Sequence, residues 1–526
     1  MTVTQAPRLA EPGQPPASPP STGPSPVAVA RLAAALPIAA LILIPVAVYA
    51  GAALILGHPL LVGDNLIQGF PLRVLVGTDL KSGSLPLWDP WIWSGTPLMA
   101  GLNAGAFYPA TLLFAVMSPT AAWVIGQVLV SSSISVGTYL FLRETGPGRL
   151  AAFLGAVSFA FAGAVAAQSA VHVDMAEGFA SLPWMLLAVR RIVDEGRWRW
   201  SLLLGVAVVC LVLAGAPEAI LDISILALVY GILRWSLRPS TWWRLLSRAG
   251  AGFAMGIGAS AFLWLPALRF IDISQRSSVS TAFASSYSFP PRSFVLGLVP
   301  FLEGGWGLLS QPAYFARSNL GEVAFYVGLL PLMAAIAVAG RRWREWLPQG
   351  ERRTWYLIGL VGIVLAVGAG TPLEHVIGHI PFYGKQRDEG RNIVDVDFAA
   401  CVLFAWWLDG GRRPEGRKAD RSGTQRRQAA RLLRLLHQRG QGARPGGGHG
   451  ADPAADCRGL AHRTSRWIAS LRFARNDVRR HAAHALLRRN SRPSAATPTD
   501  YLGDCKGRIP GLLQEEQRDG LCSSRN

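Results

Sequence analysis

The residues able to do chemistry in this chain stand mostly between its apolar runs. Asp64 follows Gly63 about ten residues after the first long apolar run, which puts its carboxylate just beyond the hydrocarbon boundary of a bilayer, where a lipid-linked substrate presents its head. A carboxylate there can take a proton from a hydroxyl, or hold a divalent metal ion against a phosphate. Gly63-Asp64-Asn65 is also good turn or helix-cap chemistry. Glu322 stands where a long loop enters an apolar run, so it either caps that helix start or binds substrate or metal. His172, with Asp174 and Glu177 close behind, offers ligands, but no third one follows at a spacing that defines a metal site. Arg387 and Arg391 carry planar forks that fit phosphate oxygens, either of a substrate or of lipid headgroups. Glu218 lies in a very short turn between apolar runs and is costly to bury unless paired. Arg73 and Lys81 are further cations. Asp89, in Trp88-Asp89-Pro90, has the form of a turn residue.

The elements that must position these groups are membrane spans. Of 526 residues 51% are hydrophobic, and several apolar runs approach the ~20 residues that cross a bilayer. Ten such runs are expected, at about Leu32–Ile55, Ala121–Leu142, Ala151–Ala167, Gly178–Val189, Ser201–Ala214, Ala219–Leu233, Gly250–Leu268, Val323–Val338, Trp355–Ala369 and Val394–Leu408. The fold class is therefore an all-α polytopic membrane protein. Basic residues cluster in alternate short loops, Arg143–Arg149, Arg190–Arg199, Arg234–Arg248 and Arg341–Arg353, which marks those loops and the amino end as cytoplasmic. The loops His58–Thr120, Ser169–Glu177, Gly215–Glu218, Asp272–Glu322 and Thr371–Asn392 then face outward. The first of these, rich in Trp, Pro and Gly, suits short helices and turns at a membrane surface.

Both ends of the chain differ from its middle. Residues 1–30 are mostly rich in Pro, Ser, Thr and Gly and read as a disordered cytoplasmic tail. Residues 31–410 form the membrane domain. From 411 to 526 the chain turns Arg-rich and is expected to be disordered. This stretch holds 25 of the 51 Lys and Arg against ten acidic residues, so the net charge of +19 is mostly a tail property and nucleic acid is not an expected partner. A slipped coding frame after Asp409 would also account for the abrupt change. The five cysteines have neither metal-ligand nor disulfide-framework spacing.

The stretch from Gly63 to Pro109 resembles the first outer loop of the bacterial YfhO-type membrane proteins. It carries Gly63-Asp64, then Gly83-Ser84-Leu85-Pro86-Leu87-Trp88-Asp89-Pro90, Gly95-Thr96-Pro97-Leu98 and Phe107-Tyr108-Pro109 in order. Later stretches agree: His172 followed by Leu182-Pro183-Trp184, Ala214-Gly215-Ala216-Pro217-Glu218, Asn319 to Gly328, and Arg387 with Arg391-Asn392. The resemblance covers roughly Leu32 to Leu408. It implies a C-type glycosyltransferase-like fold that takes a sugar from a polyprenyl-phosphate carrier to an envelope glycan or glycolipid acceptor outside the cytoplasmic membrane. Asp64 then matches the catalytic carboxylate, with Glu322, Arg387, Arg391 and His172 expected to bind substrate and a divalent metal ion as a cofactor to be considered. A transporter or lipid flippase, or an inactive truncated scaffold, is the alternative. Ionisable groups concentrated in loops weigh against transport.

Overall fold

In the computed structural model the first apolar run is one long helical rod. Helix α1 (Pro26–Pro45) passes through a single wide turn, Val46–Ala50, into α2 (Gly51–Leu56) and ends at Gly57, whose left-handed φ of 73° closes the rod. The expected tail boundary at residue 30 thus falls inside a helix that begins at Pro26, a residue suited to a first helical turn. The structure describes residues 26–277, 287–305, 313–316, 318–340, 348–368 and 389–410, with side chains from residue 35 onward. The expected tail 411–526 and Arg387 lie outside the described residues.

The described chain is mostly helical. After α3 (Phe70–Lys81) come α4 (Pro119–Thr145), α5 (Arg149–Ala160), α6 (Gly163–Val171), α7 (Val173–Phe179), α8 (Leu182–Glu195), α9 (Trp198–Leu213) and α10 (Pro217–Ser236). Then follow α11 (Trp242–Arg244), α12 (Gly250–Ala259), α13 (Ala261–Asp272), α14 (Leu320–Val323), α15 (Leu329–Ala339), α16 (Gln349–Val367) and α17 (Ile393–Gly410). By length and composition three of the described helices can cross a bilayer: Ala35–Leu56, α4 and α10. The count rises to five if the bent pairs α5–α6 and Pro239–Ala259 with α13 are each one span. The other expected runs fold as shorter or acid-bearing helices. Helix α8, with 14 residues, reaches only about 21 Å, and α17 has span length but carries Asp395, Asp397 and Asp409. Large apolar side chains such as Leu43, Leu54, Ile55 and Ile336 face outward, as a lipid-facing surface requires.

The bundle is held by a ring of fully buried aromatics. Phe141 on α4, Phe159 on α5, Tyr230 on α10, Trp355 on α16 and Phe398 on α17 meet edge-to-face, tilted or stacked, with centroids 4.7 to 5.7 Å apart. Each such pair adds about 0.5–1.5 kcal/mol beyond area burial. The Tyr230 hydroxyl accepts from Arg190, which also donates to Glu351 at 2.7 Å; Arg234 donates to the same carboxylate oxygen at 3.1 Å. The aromatic ring is thereby tied to a charge cluster at one end of the bundle.

The first loop is structured, as its composition predicts. Helix α3 packs Leu72 and Val76 on Leu98, Ala104 and Ala106, while Gly77 lies against Phe114. A small antiparallel pair joins Trp88–Asp89 (β1) to Thr96–Pro97 (β2). Buried Asp89 accepts from the Trp91 amide at 2.8 Å, which is the turn role its Asp-Pro setting predicts.

The shared acceptor Glu351 generates a test. Glu351→Ala leaves buried Arg190 and Arg234 facing each other without that carboxylate, a class of change that costs about 3–5 kcal/mol. The expected outcome is a large fall in the thermal unfolding midpoint of the detergent-solubilised protein, while Glu144→Ala, at a partly exposed pair whose Arg191 keeps Glu195, changes it little.

Candidate functional site

The site begins with a tight turn. Gly63 has φ of 54°, and a β-carbon there would lie 2.9 Å from Val171, so the turn needs glycine for both backbone and space. Two residues on, the buried Asn65 side chain accepts from the Val173 amide at 2.8 Å and donates to the Ser169 carbonyl at 3.1 Å. These bonds satisfy backbone groups freed where α6 breaks into α7 at His172, and they fasten the first loop to that break. Asp64, between Gly63 and Asn65, is thereby set beside His172.

His172 Nε2 lies 3.0 Å from Asp64 Oδ2. Its other nitrogen, Nδ1, lies 2.9 Å from Gln168 Oε1 and 3.9 Å from Glu322 Oε1. Gln168 donates its amide to the Gly321 carbonyl at 3.1 Å, which turns its oxygen toward His172 and makes Nδ1 a donor. One proton must then lie between Nε2 and Asp64, since a carboxylate only accepts. Asp64 is 53% exposed whereas His172 is 14% exposed, so the carboxylate is the open member of the pair and the imidazole the sheltered one.

Deeper in, Glu322 receives a two-pronged contact from Arg391: Nε to Oε2 and Nη2 to Oε1, both 2.9 Å. Arg391 Nη1 also lies 3.8 Å from Glu218. All three side chains are buried. Helix α14 is capped by Asn319, which accepts from Gly321 N at 3.0 Å, so Glu322 is not the cap of its helix. Arg391, expected as a phosphate ligand, has its fork engaged by Glu322.

A second buried pair braces the site. Arg73 on α3 donates to Glu177 on α7 at 2.7 Å, with both side chains at most 2% exposed. Gly105, at φ of 52°, closes over the pair, where a β-carbon would meet both Arg73 and Glu177. Burial raises the Glu177 carboxyl to about 7, with Arg73 pulling against it. Asp174, in the first turn of α7, is likewise raised by burial, with His172 and Arg73 drawing it down.

The structure thus brings together Asp64, His172, Glu322 and Arg391. Glu218 joins them, so all five segments expected to face outward contribute one residue each. Gln168 is not singled out by the sequence, where its signal is the four-residue spacing to His172, and Asn65 reads there only as part of the Gly63-Asp64-Asn65 turn. Asp222, Asp395 and Asp397 also escape it, each buried within an expected span. Among the described residues no group of three or more His, Cys, Asp or Glu side chains is placed to hold a metal ion. His172 directs one nitrogen at Asp64 and the other at Gln168, so the described residues do not assemble a donor set for a divalent ion.

Two measurements check this geometry. Asn65→Leu strands the Val173 amide and leaves the Ser169 carbonyl with only the longer 3.4 Å bond from Gln127, at an expected cost of about 1–3 kcal/mol in unfolding free energy. For Glu177 the folded value near 7 exceeds the ordinary 4.5, so its contribution to stability is full below about pH 4.5 and is lost as pH rises through 7. The wild type is therefore expected to lose stability relative to Glu177→Gln across that window in thermal unfolding. No protein-family model matches the chain, and no curated protein matches it significantly.

Proposed function

We propose that this chain is a membrane-embedded glycosyltransferase of ten crossings, moving a sugar from a polyprenyl-phosphate donor to an envelope glycan or glycolipid acceptor on the outer side of a bacterial cytoplasmic membrane. The observation that carries the reading is a half-exposed Asp64 hydrogen-bonded to His172, at a place where residues from five separate segments meet. The resemblance of the first loop to the YfhO-type pattern supports the same reading.

Chemically, the open oxygen of Asp64 takes the proton of an acceptor hydroxyl as that oxygen bonds to the anomeric carbon of the sugar. The bond from that carbon to the carrier phosphate breaks, and the phosphate leaves with the electron pair. His172, held by Gln168 and facing Glu322, orients the carboxylate and keeps its second oxygen engaged. Glu322 and Arg391 are positioning residues in this scheme. The cation expected at the leaving phosphate is Arg387.

A second reading, movement of a lipid-linked substrate across the membrane, is favoured by Asp222, Asp395 and Asp397, buried in α10 and α17 where charges usually mark a pathway. Asp64→Asn separates the two. The amide still accepts from His172 but takes no proton, so transfer to the acceptor is expected to fall about 10²–10⁴-fold at unchanged expression. Normal envelope glycan with a stably expressed Asp64→Asn protein would contradict the transferase reading. Under the transport reading Asp222→Asn stops lipid-linked sugar crossing proteoliposome membranes and Asp64→Asn does not.

A further inference from the structure

At the opposite end of the bundle from Asp64, arginines outnumber the acids available to them. Asp194 takes Arg190, Arg234 and Arg238; Glu195 takes Arg191, Arg197 and Arg199; Glu144 takes Arg191 again. Arg244 and Arg248 are left over: among the described residues no carboxylate lies within ion-pair distance of either. They are four residues apart, so they project from one helix face one turn from each other, where like charges repel. Both reach over Gly196, the left-handed residue that ends α8, where a β-carbon would run into both guanidinium groups. Arg244 donates to the Val193 carbonyl at 3.3 Å, so one cation serves the end of α8. The second has no such use. The Nε atoms of both are buried without a hydrogen-bond partner.

Aromatic rings frame the pair. The Arg248 guanidinium stands 4.9 Å from the Trp243 ring and 5.6 Å from that of Trp198, and Arg244 stands 5.5 Å from Trp243. Trp198, Trp242, Trp243 and Leu246 are exposed beside them, as at the headgroup level of a bilayer. The wide helical turn Leu245–Ala249 then leads directly into apolar α12. A cation pair lacking a carboxylate, set in indole rings at the foot of an apolar helix, suits a phosphate carried on acyl chains.

We propose that Arg244 and Arg248, between Trp198 and Trp243, bind the phosphate of an anionic phospholipid in the leaflet facing this end of the molecule. The guanidinium groups supply the charge-assisted hydrogen bonds, and the exposed indoles and Leu246 meet the glycerol and upper acyl region. The site is independent of the chemistry at Asp64.

The test uses the full chain reconstituted in vesicles of equal parts phosphatidylcholine and phosphatidylglycerol, re-extracted in mild detergent, with the retained lipid quantified by mass spectrometry. The expected result is roughly tenfold enrichment of phosphatidylglycerol, lost in the Arg244→Gln/Arg248→Gln double variant and kept in Arg199→Gln, whose arginine is paired with Glu195. Trp243→Leu, which keeps an apolar side chain, is expected to lower the enrichment several-fold even if the double variant does not fold. Equal retention of both lipids by the wild type, or undiminished enrichment in the folded double variant, overturns the proposal. Displacement of the lipid by millimolar inorganic phosphate also overturns it, since the site would then serve a soluble phosphate.

Discussion

An ionised carboxylate buried in an apolar bundle is costly unless an opposite charge meets it with good geometry, and the Glu322–Arg391 pair meets that condition at the candidate site. The pair joins α14 to the start of α17 across 69 residues of sequence and draws in Glu218 from the start of α10. Gln168 is anchored to the same strip of backbone through the Gly321 carbonyl, which fixes the direction of its amide and hence the donor nitrogen of His172. Through His172 the order imposed by a buried ion pair reaches an exposed carboxylate. The deepest member of the group settles the orientation of the shallowest.

The same logic divides the bundle into two ends. Helix α10 carries Glu218 near its start and Arg234 near its finish, about 24 Å apart at helical rise. Around Glu218 gather the segments expected to face outward; around Arg234 gather those rich in arginine. Between them lies the aromatic ring of Phe141, Phe159, Tyr230, Trp355 and Phe398, with the Tyr230 hydroxyl touching the arginine-rich end through Arg190. Charges are thus sorted mainly to the two ends, and Asp222, Asp395 and Asp397 are the departures from that sorting.

Much of this was legible in the sequence because membrane solvation writes itself into local composition. The apolar runs, the alternation of basic loops and the Trp- and Pro-rich first loop each reflect a cost paid within a few residues. Asp64, His172, Glu322 and Arg391 could be named one at a time, as polar groups at the edges of apolar runs. Their meeting was not legible, since no local signal joins residue 64 to 172 or 322 to 391. Asn65 reads as part of a turn, because the backbone groups it satisfies belong to a helix break a hundred residues away. The run Gly178–Val189 looked like a span by hydropathy, yet its helix is too short to cross unaided. Asp395 and Asp397 were hidden by the apolar residues around them.

The central claim is that Asp64 stands at the outer face of the membrane, open to a substrate entering from the lipid. The most direct measurement is labelling of an Asp64→Cys protein in intact cells with a membrane-impermeant maleimide, against the background of the unaltered chain. The account predicts rapid labelling from outside, slowed when a polyprenyl-phosphate sugar analogue is present. Labelling only after the cells are permeabilised would place this residue on the other side and contradict it.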